Sequence, residues 1–141
     1  KILVAVAGMW QDIGVTAEVS NAEFGAVIRA LRTRDFTVAR SSAFALYDDP
    51  YAFFQYYAGQ SPTNWAGYRN PDFDGLLRRA NAAPDQEARY ALLREAEATF
   101  NADQPVIPVF YYQGKVLVAD RVKGWWDGAI GTPPTRYLAV D

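Results

Sequence analysis

Residues 64–112 read NWAGYRNPDFDGLLRRANAAPDQEARYALLREAEATFNADQPVIPVFYY, and no other part of the chain restricts its fold as strongly. Asn70 followed by Pro71 is a helix start: the Asn side chain can accept from an orphan amide, and Pro sits where its missing N–H costs nothing. Phe73, Leu76, Leu77 and Ala80 then recur at helical spacing, with Asp74 and Arg78 as an i,i+4 pair on the polar side. A second helix is predicted after Pro84, capped by Asp85. Its inner stripe, Tyr90, Leu93, Ala96, Glu97 and Phe100, is apolar apart from one acid. Residues 106–112 are apolar on both faces, the pattern of a strand covered by helices.

The rest of the chain alternates in the same way. Residues 2–10 resemble the tail of a signal peptide, and Ala5-Val6-Ala7 mimics a cleavage site, but the apolar run is too short for the hydrophobic region of one. A helix is expected instead, with Leu3, Val6, Met9, Trp10 and Ile13 inward and Gly14 as a left-handed cap. A strand at 15–20 and a helix capped near Asn21 follow, the helix carrying Phe24, Val27, Ile28 and Leu31 on one face. Residues 36–44 read as the next strand, entered from the polar turn Thr33-Arg34-Asp35. Asp49-Pro50 starts a short helix to Tyr57, and residues 58–69 form a loop. Further strands are expected at 106–112 and 115–119, joined through Gln113-Gly114, and a last one at 137–140. Residues 121–135, rich in Gly and Pro, read as irregular. Such alternation calls for an α/β layered architecture with helices on both sheet faces.

Composition removes several chemistries. The 141 residues contain neither Cys nor His, which excludes disulfides, thiol catalysis and Ser-His or Cys-His arrangements, along with the commonest metal ligand. A net charge of −2 leaves no electrostatic footprint for nucleic acid or anionic membrane. Asp48, Asp49, Asp72 and Asp74 could be imagined as a glycosidase pair, but capping and helix-dipole roles explain Asp49, Asp72 and Asp74 better.

Taken in order, these residues resemble the C-terminal lobe of the bacterial extracellular solute-binding proteins of the oligopeptide and dipeptide class (family 5), the receptors of ABC importers. The resemblance rests on Asn64, on Gly67-Tyr68-Arg69-Asn70-Pro71-Asp72-Phe73-Asp74-Gly75-Leu76-Leu77, on Ala96-Glu97, and on residues 103–111. Trp10, Ile13-Gly14-Val15, Asp49-Pro50, Val122-Lys123-Gly124 and residues 134–138 extend it along the whole chain. It implies a three-layer periplasmic-binding-protein-like α/β lobe of the class II type, with helices on both sides of a mixed sheet. Residues 1–120 would be the C-terminal lobe, lacking its opening part, and residues 121–141 a segment returning toward the other lobe. The implied activity is capture of a peptide-like or other small solute in an interlobe cleft for import, without catalysis, cofactor or metal. The implied partners are the solute, the N-terminal lobe and an inner-membrane permease. The implied location is the periplasm, or the cell exterior on a lipoprotein anchor. An interaction or sensor module on the same fold is the alternative, and a carboxylate-dependent hydrolase a more distant one.

The resemblance also places the site. Ligands bind beyond the carboxyl ends of strands in open α/β sheets, and residues 40–48, RSSAFALYD, occupy such an end. In the family this strand pairs with an extended peptide, which puts the pairing backbone on Ser42 and Phe44 and offers Arg40 as an anion contact. Peptide-binding members carry Trp-x-x-Asp-Tyr here, where the Asp holds the peptide's free ammonium. This chain has Ala43-Phe44-Ala45-Leu46-Tyr47. Leu46 cannot offset the desolvation of a buried ammonium. Asp48 would substitute only with a shifted loop register. Among the aromatic residues Phe53, Phe54, Tyr56, Tyr57, Trp65 and Tyr68, ligand stacking is expected of Trp65 and Tyr68. Trp125 and Trp126 are expected to be exposed.

Overall fold

The computed structural model describes residues 2–126 and 133–141. Lys1 and residues 127–132, with Gly128 and Gly131 of the expected irregular stretch, lie outside the described residues. The chain divides into two compact units, Lys1–Ser42 and Ala43–Asp141.

The first unit carries helices α1 (Ile2–Asp12) and α2 (Phe24–Thr33). Gly14 ends α1 as expected, at φ 84, and Val15 N–H returns to the Trp10 carbonyl at 2.9 Å. The inward stripe is only partly realised. Leu3, Val6 and Trp10 are half-buried, while Met9 and Ile13 are 67% and 74% exposed. The cap of α2 is Glu23, not Asn21: residue 23 has the extended backbone of a cap, and its carboxylate accepts from Gly25 N at 2.9 Å. Leu31 is buried and Phe24 exposed on the expected face. Arg34, at φ 58, closes the helix in the left-handed region.

The second unit holds α3 (Tyr51–Phe54), α4 (Pro71–Asn81), α5 (Gln86–Asp103), β1 (Val122–Lys123), a 3-10 turn (Thr135–Tyr137) and β2 (Ala139–Val140). Both central helices form for the reasons their sequence gives. Asn70 Oδ1 accepts from Asp72 N and Phe73 N, and Asp85 Oδ1 accepts from Ala88 N. Their apolar stripes face each other, burying Phe73, Leu77 and Ala80 of α4 against Leu93, Ala96 and Phe100 of α5. Phe73 is fully enclosed, its ring 5.5 Å from that of Phe100, 5.3 Å from Tyr68 and edge-on to Phe54 at 6.0 Å. Contacts of this geometry add about 0.5–1.5 kcal/mol each to the area they bury.

The sheet departs from expectation. Among the described residues the ladder is a single antiparallel pair, β1 with β2, in the register Val122 to Val140 and Lys123 to Ala139. Gly124, at φ 78, lets the chain pass this pair, because a Cβ there would collide with the Tyr137 carbonyl oxygen. Of the expected last strand only Ala139 and Val140 pair, Tyr137 belonging to the 3-10 turn. Residues 15–20, 36–44, 106–112 and 115–119 form no strand, and Gln113-Gly114 no hairpin. The described residues therefore assemble neither the mixed sheet nor three layers. The reason is that a strand exists only through its neighbour's hydrogen bonds. No neighbour is in place for these segments, and Ile107, Val109, Phe110, Tyr111, Tyr112 and Leu117 stay exposed.

Candidate functional site

Residues 40–48 run without regular structure, and their polar and apolar side chains are largely open to solvent. Arg40 and Ser42, both exposed, close the first unit. The second begins with Ala43, exposed, followed by Phe44 at 62%, Leu46 at 72% and Tyr47 at 40% exposure, with Ala45 half-buried between them. Asp48 is exposed. Phe44 and Leu46 are thus outside the core, as contact residues must be.

Part of this segment is fastened at both ends. Tyr56 Oη donates to the Phe44 carbonyl at 3.0 Å. Five residues on, Asp49 N donates to the Tyr47 carbonyl at 3.0 Å, and Asp49 Oδ1 accepts from Tyr51 N at 2.7 Å to start α3. Arg89 of α5 grips the same carboxylate with two nitrogens, at 3.1 and 3.0 Å. Its other terminal nitrogen donates to Ala80 O and Asn81 Oδ1, and its guanidinium lies 5.5 Å from the centre of the Tyr51 ring. The Arg89 hydrogen bonds hold the Asp49 carboxyl below the usual carboxylate range, and burial together with Tyr51 and Asp49 pushes the Tyr47 hydroxyl up. The sequence marked Asp49 as a helix starter, but the Arg89 partnership spans 40 residues and leaves no local signal.

Trp65 and Tyr68 have different surroundings. Trp65 is half-buried in the loop 58–69. Tyr68 packs its ring on Phe73 and Phe100, and its hydroxyl donates to Asp103 Oδ2 at 2.7 Å. Asn70 Nδ2 donates to the same oxygen at 2.7 Å while its Oδ1 caps α4. Burial and the Asp103 carboxylate raise the Tyr68 hydroxyl far above its ordinary value, and Asn70 and Tyr68 lower the Asp103 carboxyl. Asn64, buried, donates to Tyr68 O at 2.7 Å and accepts from Tyr68 N at 3.0 Å. The run from Asn64 to Asn70 is therefore a self-bonded loop joined to the end of α5, and Tyr68 is one of its structural members.

The remaining acids and rings divide along similar lines. Asp74 Oδ1 accepts from Gly59 N at 2.9 Å, tying the loop to α4; a Cβ on Gly59 would stand 2.6 Å from Asp74 Oδ2. Phe54 and Tyr57 flank the core, and burial raises the Tyr57 hydroxyl, while Phe53 is exposed. Asp49 and Asp74 thus each have a fixed structural partner, unlike an acid–base pair flanking a substrate. Trp125 is half-buried, and Trp126, exposed, stacks edge-on with Tyr137 at 5.6 Å. A shallow hollow of about 190 Å³ lies among Pro50, Phe54, Tyr90, Leu93, Arg94 and Glu97, and none of residues 43–48 lines it. Among the described residues no cluster of metal-ligating side chains occurs, and no helix is long and apolar enough to cross a membrane.

No protein-family model matches the sequence. Individual proteins do: by sequence and fold the chain is similar to the oligopeptide- and dipeptide-binding class of bacterial solute-binding proteins. The periplasmic oligopeptide-binding protein OppA of Salmonella typhimurium is 31% identical over 141 residues, 99% of this chain and 25% of that protein. The crystal structure of Haemophilus influenzae OppA in complex with RPPGFSPFR gives a TM-score of 0.85 at 28% identity, over 99% of this chain and 28% of that one. The probable deoxycholate-binding periplasmic protein YgiS of Escherichia coli is 30% identical over 112 residues, 79% of this chain and 21% of that protein. The chain thus spans about a quarter of the length of these relatives.

Proposed function

We propose that this chain is a solute-facing part of an ABC-importer receptor, which captures a peptide-like or other small solute and delivers it to an inner-membrane permease. The observation carrying the reading is the likeness to peptide-bound OppA, TM-score 0.85 over 99% of the chain. In support, Phe44 and Leu46 are open to solvent where the resemblance puts the cleft. In this reading residues 1–120 belong to a three-layer α/β lobe, and residues 121–141 return toward the other lobe. The periplasm, or the outer face of the membrane, is the place of action. Phe44, Leu46, Tyr47 and Trp65 are the contacts we favour, with Ala43 providing space and Asp48 a flanking charge. Arg40 and Ser42 keep the anion and main-chain roles that the resemblance gives them, and Tyr68 supports the loop that carries Trp65.

The solute class follows from Leu46. Leaving a buried ammonium without its acid costs about 3–5 kcal/mol, roughly two to three decades of affinity at about 1.4 kcal/mol per tenfold. A solute without a free amino terminus escapes that cost, and relatives named for peptides and for deoxycholate span both classes. The test compares a peptide with its N-acetylated form on the full-length receptor, then on Leu46→Asp. The two forms should bind the unmodified receptor within a few-fold of each other, and Leu46→Asp should favour the free amine. Binding of the free amine tens of times more tightly by the unmodified receptor would mean that another acid, such as Asp48, holds the ammonium.

A further inference from the structure

We infer that Tyr56 is a positioning residue for the solute site: its hydroxyl holds the Phe44 carbonyl, so that residues 44–48 form a preset arch presenting Phe44 and Leu46. The inference rests on the receptor reading above and adds a residue that neither the sequence pattern nor the resemblance marks as functional. Its basis is geometric. One foot of the arch is the 3.0 Å bond from Tyr56 Oη to Phe44 O, made across 12 residues. The other foot is Asp49, bonded through its backbone to Tyr47 O and through its carboxylate to Tyr51 N and Arg89. Between the feet no regular structure holds the chain, and Phe44 and Leu46 project with 62% and 72% of their surface exposed.

Exposed apolar side chains on an unsupported segment lose conformational freedom on binding, and every restraint already present in the free protein reduces that cost. A carbonyl oxygen has two acceptor sites. Phe44 O can therefore take the Tyr56 hydroxyl and still accept from a solute. Tyr56 itself sits in the turn after α3, its backbone N–H bonded to Phe53 O at 3.2 Å. Removing only its hydroxyl leaves the ring and that turn in place.

The test uses the full-length receptor with three probes: RPPGFSPFR, its N-acetylated form and deoxycholate. Tyr56→Phe should weaken whichever probe the unmodified receptor takes by roughly three- to tenfold, the worth of one net hydrogen bond. Its melting temperature should fall no further than that of Gln86→Ala, a control losing the exposed bond to Tyr90 on α5. In a Phe44→Ala, Leu46→Ala background the two apolar side chains that the arch presents are gone, so adding Tyr56→Phe should cost clearly less than it does in the unmodified receptor. Unchanged affinity in Tyr56→Phe overturns the inference. So does an undiminished loss in the doubly substituted background, which would make Tyr56 a direct contact or a general structural residue. An unmodified receptor that takes none of the three probes sinks the receptor reading and this inference with it. Binding by that receptor which Tyr56→Phe leaves untouched sinks the inference alone.

Discussion

The α4–α5 pair and the residues 107–119 that follow it both carry apolar side chains in regular patterns, yet one builds the core and the other lies open. The difference is in where their backbone hydrogen bonds go. A helix satisfies its own amides and carbonyls within a few residues, so two capped helices with facing stripes can close a core between them. An extended segment depends on a neighbour for every ladder bond, and apolar faces alone do not supply one. Residues 106–112 have the composition of a covered strand without the company of one. Apolar pattern states what a segment needs; the self-sufficiency of the element decides whether the chain at hand provides it.

The largest expected effect falls on the self-sufficient side. Phe73→Ala removes the one large side chain that is fully enclosed among the described residues, and it should lower the unfolding free energy by about 3–5 kcal/mol in chemical denaturation. A loss under about 1 kcal/mol would mean the helix pair is not the core. Next comes Arg89→Ala, which strips Asp49 of its main partner and should cost about 1–3 kcal/mol. Here pH supplies the sign. The folded Asp49 carboxyl is held below its unfolded value, so its stabilisation is present above that unfolded value, near 3.8, and is lost as the pH falls through the lowered one. Urea titrations at several pH values should show the gap between parent and Arg89→Ala narrowing below pH ~4. A gap that persists there would point to packing, not charge.

Asn70→Ala should cost about 1 kcal/mol, the usual worth of an N-cap, with fraying at the first turn of α4 visible in amide exchange. The smallest effect sharpens the comparison from its other side. Val109→Asp, at an exposed position, should change the stability of this 141-residue chain by no more than about 0.5 kcal/mol. In the full-length receptor, where we propose that this segment is covered, the same substitution should cost several times as much. Equal small effects in both would show that residues 106–112 are never buried.

What the sequence made legible follows the same division. Asn70, Pro71 and Asp85 mark helix starts because caps act over three residues, and the stripes of α4 and α5 follow from helical spacing. Glu23 was missed because Asn21 is the better capping type, whereas the backbone of residue 23 decides. Met9 and Ile13 share the spacing of Leu3 and Val6, yet spacing does not say how wide a buried stripe is. The segment 40–48 was legible as a candidate site, but its restraints were not: Tyr56 to Phe44 and Arg89 to Asp49 are distant partnerships between unremarkable residues. Asn64 and Tyr68 were legible as a motif, while their mutual bonding and the bridge to Asp103, 35 residues on from Tyr68, arise only from the folded path of the chain.

Asp103 joins the end of α5 to Asn70 and Tyr68, 33 and 35 positions earlier in the chain, just before the start of α4. Arg89 likewise reaches from the first turns of α5 to the last residues of α4. The two helices are thus bound at both ends by contacts that do not pass through the turn connecting them. Covalent continuity at Ala83 and Pro84 is redundant to their association, which makes that turn the natural place to divide the protein into two fragments that recombine when mixed, or to open new termini in a permuted chain.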